Sequence, residues 1–259
     1  MKKRIIGAFI VVTILVVSLL LGELPFALVM TVASIFGLKE LIDIKYEKEK
    51  IDFVKIISAI FLILLLLNNM LFKINNKVLI ILPILGLIIQ MIFYNDKNKY
   101  NINDAFYFLG IIYFLAFSFG NIISMRDIST YKCIYIFIIS FATDTYAYIG
   151  GMLIGKHKLT DISPKKTIEG TVVGTLMGVF IGTMFYHTLI GDLVLIEVIV
   201  MSFILTILSE IGDLVFSSIK RYFGKKDYSN LIPGHGGILD RFDSVIFVSL
   251  GMALILSIF

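Results

Sequence analysis

Charge is scarce in this chain: Asp, Glu, Lys and Arg make up 16% of its 259 residues, while 58% are apolar. Soluble domains carry about 25% charged residues, so an ordinary water-soluble fold is excluded. The expectation is an all-α, polytopic integral membrane helix bundle. Cysteine occurs once, at Cys133, which rules out an intramolecular disulfide. Its place beside an apolar run suits a small buried side chain better than a reactive thiol. Nor do the three histidines form a cluster of soft metal ligands with it. No repeat of fixed period and no low-complexity segment interrupts the apolar bias, so residues 1–259 read as a single membrane domain. Its N-terminal spans fill 1–130, and the residues that carry chemistry fall in 131–259.

Apolar runs of about 17 to 25 residues can cross a bilayer. Nine such runs occur, at 5–21, 24–42, 53–72, 78–94, 104–124, 133–152, 170–190, 193–219 and 242–259. The first follows Met1-Lys2-Lys3-Arg4, as a signal peptide would. Its apolar run is too long, however, and Gly22-Glu23-Leu24-Pro25 lacks a small-x-small cleavage site, so a retained helix is expected. Nine spans with the N-terminus inside put 19 of the 23 lysines and arginines on one side. The positive-inside rule makes that side cytoplasmic and places the 220–241 region there, in a cell membrane. The basic pI of 9.0 then needs no nucleic-acid partner.

Residues 1–130 show little chemistry beyond apolar runs joined by mixed-charge loops. The sixth span differs, because Ser140, Asp144, Ala147 and Gly151 share one helix face. An aspartate inside a membrane is costly unless it faces a partner or a wet cavity, and it marks function by default. The structural alternative is an aspartate held by Thr143, Thr145 or Tyr148. Gly150 to His157 reads G-x4-G-K, but without the following Ser or Thr and after a helix rather than a strand, so it is not a phosphate loop. Glycines at a helix C-terminus explain it better.

Ser163 as a cap and Pro164 at the first position predict a helix start. Lys165 and Lys166 would then oppose the helix dipole unless a phosphate sat on the free N–H groups. On charge alone, a positive-inside anchor explains them equally well. Gly170, Gly174, Gly178 and Gly182 recur every four residues and predict close helix packing. The eighth element would extend about 40 Å as one helix, longer than a ~30 Å hydrocarbon core, so its cytoplasmic end should project into water. Along it Ser202, Thr206, Ser209, Asp213 and Ser217 form one stripe, with Glu210 beside Asp213. An interhelical ladder could produce the stripe, but it would not need the carboxylates.

The densest chemistry lies in 217–243, which gathers five cations, three carboxylates, a histidine and a Pro-Gly-x-Gly-Gly turn between two apolar segments. Asp213, Asp227, Asp240 and Asp243 are hard oxygen donors that suit Mg²⁺, with or without a second cation, better than zinc. Asp213 and Asp240 make the first choice of metal pair, because the loop between them brings their helices together; Asp243 joins them as a candidate ligand. Lys220, Arg221, Lys226 and Arg241 would neutralise phosphates, with Ser217 beside them. Gly234, Gly236 and Gly237 would let backbone N–H groups approach phosphate oxygens closely. His235 would donate to a phosphate or to the leaving group.

The pattern S-x-x-K-R-x4-K-D-x-S-x3-P-G-H-G-G-x-x-D-R-x-D, from Ser217 to Asp243, resembles the signature of the CDP-diglyceride synthases, or phosphatidate cytidylyltransferases, at every fixed position. Asp144-Thr145-Tyr146-Ala147-Tyr148 and Ser163-Pro164-Lys165-Lys166-Thr167-Ile168-Glu169-Gly170 are similar to two further family stretches. The resemblance implies a reaction of CTP with the lipid phosphatidate that yields CDP-diacylglycerol and pyrophosphate in phospholipid biosynthesis. It also implies a metal at Asp213 and Asp240, catalytic roles for Asp144, Lys226 and Asp227 within matched motifs, phosphate contacts for Lys165 and Lys166, and a homodimer. Two rivals stay open. A CTP-dependent polyisoprenol kinase would share membrane, nucleotide and metal, while a transporter could use Asp144, Glu210 and Asp213 as an ion path, although the ionisable residues gather on one side.

Overall fold

A bilayer offers no hydrogen-bond partners, so apolar runs of this length close their backbone hydrogen bonds internally as helices. The computed structural model describes residues 2–46, 52–94, 100–232, 234 and 236–258. Among them are nine α-helices: α1 (Lys2–Leu21), α2 (Glu23–Lys45), α3 (Asp52–Leu67), α4 (Asn76–Phe93), α5 (Ile102–Ile128), α6 (Thr130–Ile154), α7 (Ile168–Leu189), α8 (Leu195–Tyr222) and α9 (Leu239–Ile258). A π-helical turn, Asn68–Phe72, extends α3. Eight helices among the described residues are long and apolar enough to cross a membrane; in α1 the apolar stretch is the shorter Phe9–Leu21. The expected polytopic all-α architecture holds. The helices outrun the apolar runs at many ends.

Two compact units divide the chain, Met1–Ile123 with Tyr228–Ile238, and Ser124–Asp227 with Leu239–Phe259. In the first, α2 packs against α1 and α3, and α3 against α4. Asn101 caps α5 by accepting from the N–H groups of Asn103 and Asp104, while Asp104 accepts from Asn101 N–H at 3.0 Å. That reciprocal box satisfies donors the helix start would otherwise strand. Asp104 also accepts from the Tyr46 hydroxyl at 2.5 Å, tying α5 to the end of α2.

The second unit packs α6 against α7, α8 and α9, with α7 also against α8, and α8 against α9. Gly170, Gly174, Gly178 and Gly182 are all buried. A Cβ on Gly174 would lie 2.7 Å from the Thr143 carbonyl and from Ala147 Cβ, so α7 approaches α6 too closely for a side chain there. Val172, Leu176 and Phe180 point outward from the same helix. Small residues inside and large apolar ones outside are what a lipid solvent favours. Gly150 follows the same logic: α6 runs on to Ile154, and a Cβ on Gly150 would meet Val173 Cβ at 2.7 Å. Packing on α7 therefore accounts for Gly150, while Gly155 is the C-cap of α6, as expected of glycines at a helix C-terminus.

The predicted helix start at Ser163-Pro164 is wrong. Lys158 and Thr167 form an antiparallel bridge, with Leu159 N–H donating to Lys166 O at 2.9 Å and Ile168 N–H to His157 O at 3.0 Å. Those bonds hold 166 and 167 extended until Thr167 caps α7, its hydroxyl accepting from Gly170 N–H at 3.1 Å. Lys165 and Lys166 thus precede the cap, in a turn closed by Lys166 N–H on Ser163 O.

Candidate functional site

A cavity of about 540 Å³ opens in the second unit where α6, α7, α8 and α9 present ends of one side. The last turns of α6 supply Asp144, Ala147, Tyr148, Gly151 and Met152, and the connection to α7 supplies Lys165, Lys166 and Thr167. Asp213 comes from α8, and Asp240, Arg241 and Asp243 come from the start of α9. The predicted face of α6 is therefore real from Asp144 to Gly151. Ser140, one step deeper, is buried and donates to Ile136 O instead.

The stripe on α8 splits in two. Its deep part is structural: Ser202 shares a 2.8 Å hydrogen bond with the Tyr135 hydroxyl and accepts from Thr183 at 3.2 Å, linking α6, α7 and α8. Its outer part carries charge. Lys166 Nζ reaches across to donate to Glu210 Oε2 at 2.7 Å and lies 2.8 Å from Asp213 Oδ2. Burial alone would lower the pKa of that ammonium; the carboxylates of Asp213 and Glu210 override it and hold Lys166 above the usual lysine range. Lys220 Nζ donates to Asp240 Oδ1 at 2.7 Å, joining α8 to α9. Ser217 donates to Asp213 Oδ1 at a long 3.4 Å.

Asp144 is held by Ser244 of α9, whose hydroxyl donates at 3.0 Å to one oxygen and 3.3 Å to the other. The near neighbour Thr143 instead donates to Ile139 O. Asp243 accepts from Ser244 N–H at 2.9 Å. Neither Asp144 nor Asp243 has an ion-pair partner among the described residues.

This donor set fits a hard cation. It consists of oxygens, two of the carboxylates lack a cation, and Glu210 Oε1 is buried with no hydrogen-bond partner among the described residues. Among those residues, no group of three or more His, Cys, Asp or Glu converges tightly enough to hold a metal unaided. Mg²⁺ usually takes only one or two protein carboxylates and completes its shell with water and substrate phosphates.

The remaining predicted residues lie elsewhere. Lys226 and Asp227 are exposed and do not line the cavity. Arg221 is exposed and donates to the carbonyls of Ile162 and Lys225. Gly234, Gly236 and Gly237 belong to the first unit. There Ile232 N–H donates to Gly236 O at 2.9 Å, with Gly234 at φ 80° and Gly236 at φ 81°, a left-handed backbone that favours glycine. His235 lies outside the described residues. Ser244 escaped sequence reasoning, while Glu210 entered it as the neighbour of Asp213 on the α8 stripe. Each had a signal: Glu210 stands three residues before Asp213 on the same helix, and Ser244 four after Asp240.

The profile of the cytidylyltransferase family matches residues 2–259. A protein named phosphatidate cytidylyltransferase from Staphylococcus haemolyticus is 34% identical over 253 residues, 96% of each chain. Proteins of the same name from Staphylococcus saprophyticus and Staphylococcus aureus are 34% and 33% identical, again over 96% of each chain. With its whole described length inside the family profile, and with relatives this similar end to end, the chain belongs to the cytidylyltransferase family.

Proposed function

We propose that the protein is a phosphatidate cytidylyltransferase, joining CTP to phosphatidate to give CDP-diacylglycerol and pyrophosphate for phospholipid synthesis. The observation that carries this reading is a single cavity with two kinds of wall. Ala147, Tyr148 and Met152 offer apolar surface, while Lys165, Lys166 and Arg241 share the lining with carboxylates from three helices. An amphiphile with an anionic head and a polyphosphate both find chemistry there.

In this reading a phosphate oxygen of the lipid attacks the α-phosphorus of CTP. A P–O bond forms to the lipid, the α–β bridging bond breaks, and its electron pair leaves on pyrophosphate. The attacking oxygen is already anionic near neutral pH, so no strong base is needed. The task is to hold two anions together and stabilise the departing charge. Lys165 and Arg241 bind phosphate oxygens, and Lys166 keeps Asp213 and Glu210 in place while adding positive charge. Lys220 fixes Asp240 through its ion pair. Mg²⁺ would be held by one or two of Asp213, Asp240 and Asp243, and would supply charge neutralisation on the phosphates. The cavity opens to the cytoplasm of a cell membrane, where soluble CTP meets a bilayer lipid; the charge asymmetry of the loops supports that side.

The test is direct. Purified protein in detergent, given phosphatidate, CTP and Mg²⁺, should release pyrophosphate and form CDP-diacylglycerol. A phosphorylated polyisoprenol as the product, or solute uptake into vesicles without CTP turnover, would replace this reading.

A further inference from the structure

A second cavity, of about 490 Å³, lies within the first unit between α2 and α3, and the mechanism above does not use it. Ile35, Leu38 and Ile42 of α2, with Ile56 and Ala59 of α3, make most of its wall apolar. Its charged members are Lys39, Asp43 and Lys55. Both helices are long and apolar enough to cross a membrane, α3 together with its π-helical turn, and α2 ends at Lys45 where α3 begins at Asp52. The charges stand towards that shared end. By helical rise Lys39 lies about 9 Å from it and Lys55 about 5 Å, whereas Ile35 lies about 15 Å deep.

Asp43 stands 3.8 Å from Lys55, a loose ion pair, and Lys39 is exposed. Two ammonium groups against one carboxylate leave the lining net positive. Glu40, next to Lys39, does not cancel that charge, because it is turned elsewhere and is only 4% exposed. Its Oε1 accepts from the Ser229 hydroxyl at 2.6 Å and from the Ile238 N–H at 2.9 Å, partners 189 and 198 residues away in sequence. Phe36, Phe53 and Ile60 around the groove are exposed apolar side chains, as a lipid-facing surface presents. What fills such a groove is therefore selected from the lipids of the bilayer. A wall that is apolar at depth and positive near the helix ends matches a phosphate-bearing, negatively charged headgroup above an acyl chain; a choline headgroup would bring a further cation to it. We propose that the groove between α2 and α3 is a binding site for an anionic phospholipid, with its phosphate at Lys39 and Lys55 and its chain along Ile35 and Ala59. The lysine stems lie on the apolar wall while their ammonium groups reach the interface. The inference needs only the membrane setting and stands apart from cytidylyl transfer.

The chain has no tryptophan, so Ile60→Trp, one helical turn beyond Ile56 and exposed, gives a single reporter beside the groove. The full chain carrying it is placed in phosphatidylcholine vesicles with rising fractions of phosphatidylglycerol brominated on its acyl chains, since bromine quenches indole on contact. Phosphatidylglycerol is not a substrate of the proposed reaction, so the readout is the same whether or not the protein turns over CTP. One net basic charge near the membrane surface favours an anionic lipid about fivefold, so half-maximal quenching should need about fivefold less brominated phosphatidylglycerol than brominated phosphatidylcholine. Adding Lys39→Gln, at an exposed side chain, should bring that ratio close to one. If this variant does not accumulate, Lys55→Gln should do the same. Lys73→Gln removes an equal charge beyond the far end of α3 and should leave the ratio unchanged. Equal quenching by the two lipids in the parent would overturn the site. A preference that survived the loss of either lysine would overturn it as well, leaving Lys39 and Lys55 as anchors of topology. Weak quenching by both lipids would also overturn it, the groove then being covered by protein such as a second copy of the chain.

Discussion

Lys220 near the end of α8 and Asp240 in the first turn of α9 form an ion pair at 2.7 Å, with side chains only 11% and 5% exposed. The long connection between these helices therefore starts and ends at one charge pair. Removing one member of a buried pair typically costs about 3–5 kcal/mol, because the other charge is left behind without water. Lys220→Met should accordingly lower the melting temperature in detergent. Combining it with Asp240→Leu should recover much of that loss while activity stays absent. Simple addition of the two single effects in a double-mutant cycle would mean that the pair is not coupled.

Lys165 and Lys166 should separate, although they are neighbours in one motif. Lys165 is exposed on the cavity, so Lys165→Gln should raise the Michaelis constants of the anionic substrates and leave melting untouched. Lys166 neutralises two carboxylates, so Lys166→Gln should lower both stability and activity. Its pH behaviour follows from the sign of its shift. Asp213 and Glu210, overriding burial, raise the folded pKa above the unfolded value of about 10.4. The stabilisation is then complete below that unfolded value and is lost only as pH rises through the higher folded one. The melting difference between wild type and Lys166→Gln should stay constant from pH 6 to pH 9. A gap that changed within that window would show that burial outweighs the carboxylates and holds Lys166 below the ordinary lysine range.

The helices and most of the cavity were legible in the sequence, because apolar length and intramembrane charge are local signals. Asp144, Lys166, Asp213, Asp240, Arg241 and Asp243 do share one cavity. What failed depends on contacts between distant residues. Ser163-Pro164 has the look of a helix start, but the bridge between Lys158 and Thr167 overrides it. Glu40 sits in a stretch dismissed as solvent loops and apolar runs, and its partners lie nearly two hundred residues away. Its signal was a carboxylate among Leu38, Leu41 and Ile42, which the default reading of buried charge would have flagged.

The side of the membrane can be read with one thiol. Ser229 is the wrong place for it, since its hydroxyl is engaged by Glu40. Asn230 next to it is exposed and can carry the label. In a Cys133→Ala background, Asn230→Cys should react with an impermeant reagent only after the cytoplasmic face is opened. Labelling in sealed right-side-out vesicles would reverse the topology.

The glycine face of α7 should tolerate no side chain. A Cβ on Gly174 would crowd the Thr143 carbonyl and Ala147 on α6, and neither backbone nor Cβ can swing away. Overpacking of this kind costs about 1–3 kcal/mol. Gly174→Ala should lower the melting temperature, whereas Val172→Ala on the lipid side of the same helix should leave it nearly unchanged. Equal effects at both positions would mean that α7 does not pack by this face.

Replacing aspartate by asparagine at the metal candidates keeps side-chain size and removes a negative ligand. Asp213→Asn and Asp240→Asn should each require more Mg²⁺ for half-maximal rate and lose most of the turnover, since charge on the leaving pyrophosphate is then less well neutralised. Each change also weakens an ion pair, to Lys166 or to Lys220, so stability must be measured beside activity. Asp192→Asn supplies the control. Asp192 also pairs with a lysine, Lys132 at 2.6 Å, but in the connection between α7 and α8, at the other end of those helices from the cavity. It is 45% exposed, and surface pairs contribute only about 0–1 kcal/mol. Its variant should therefore keep full turnover and the ordinary Mg²⁺ dependence. If Asp213→Asn or Asp240→Asn kept near-normal turnover at limiting Mg²⁺, that residue would not be a ligand. The two carboxylates without ion-pair partners among the described residues, Asp144 and Asp243, would then be the ones to replace next.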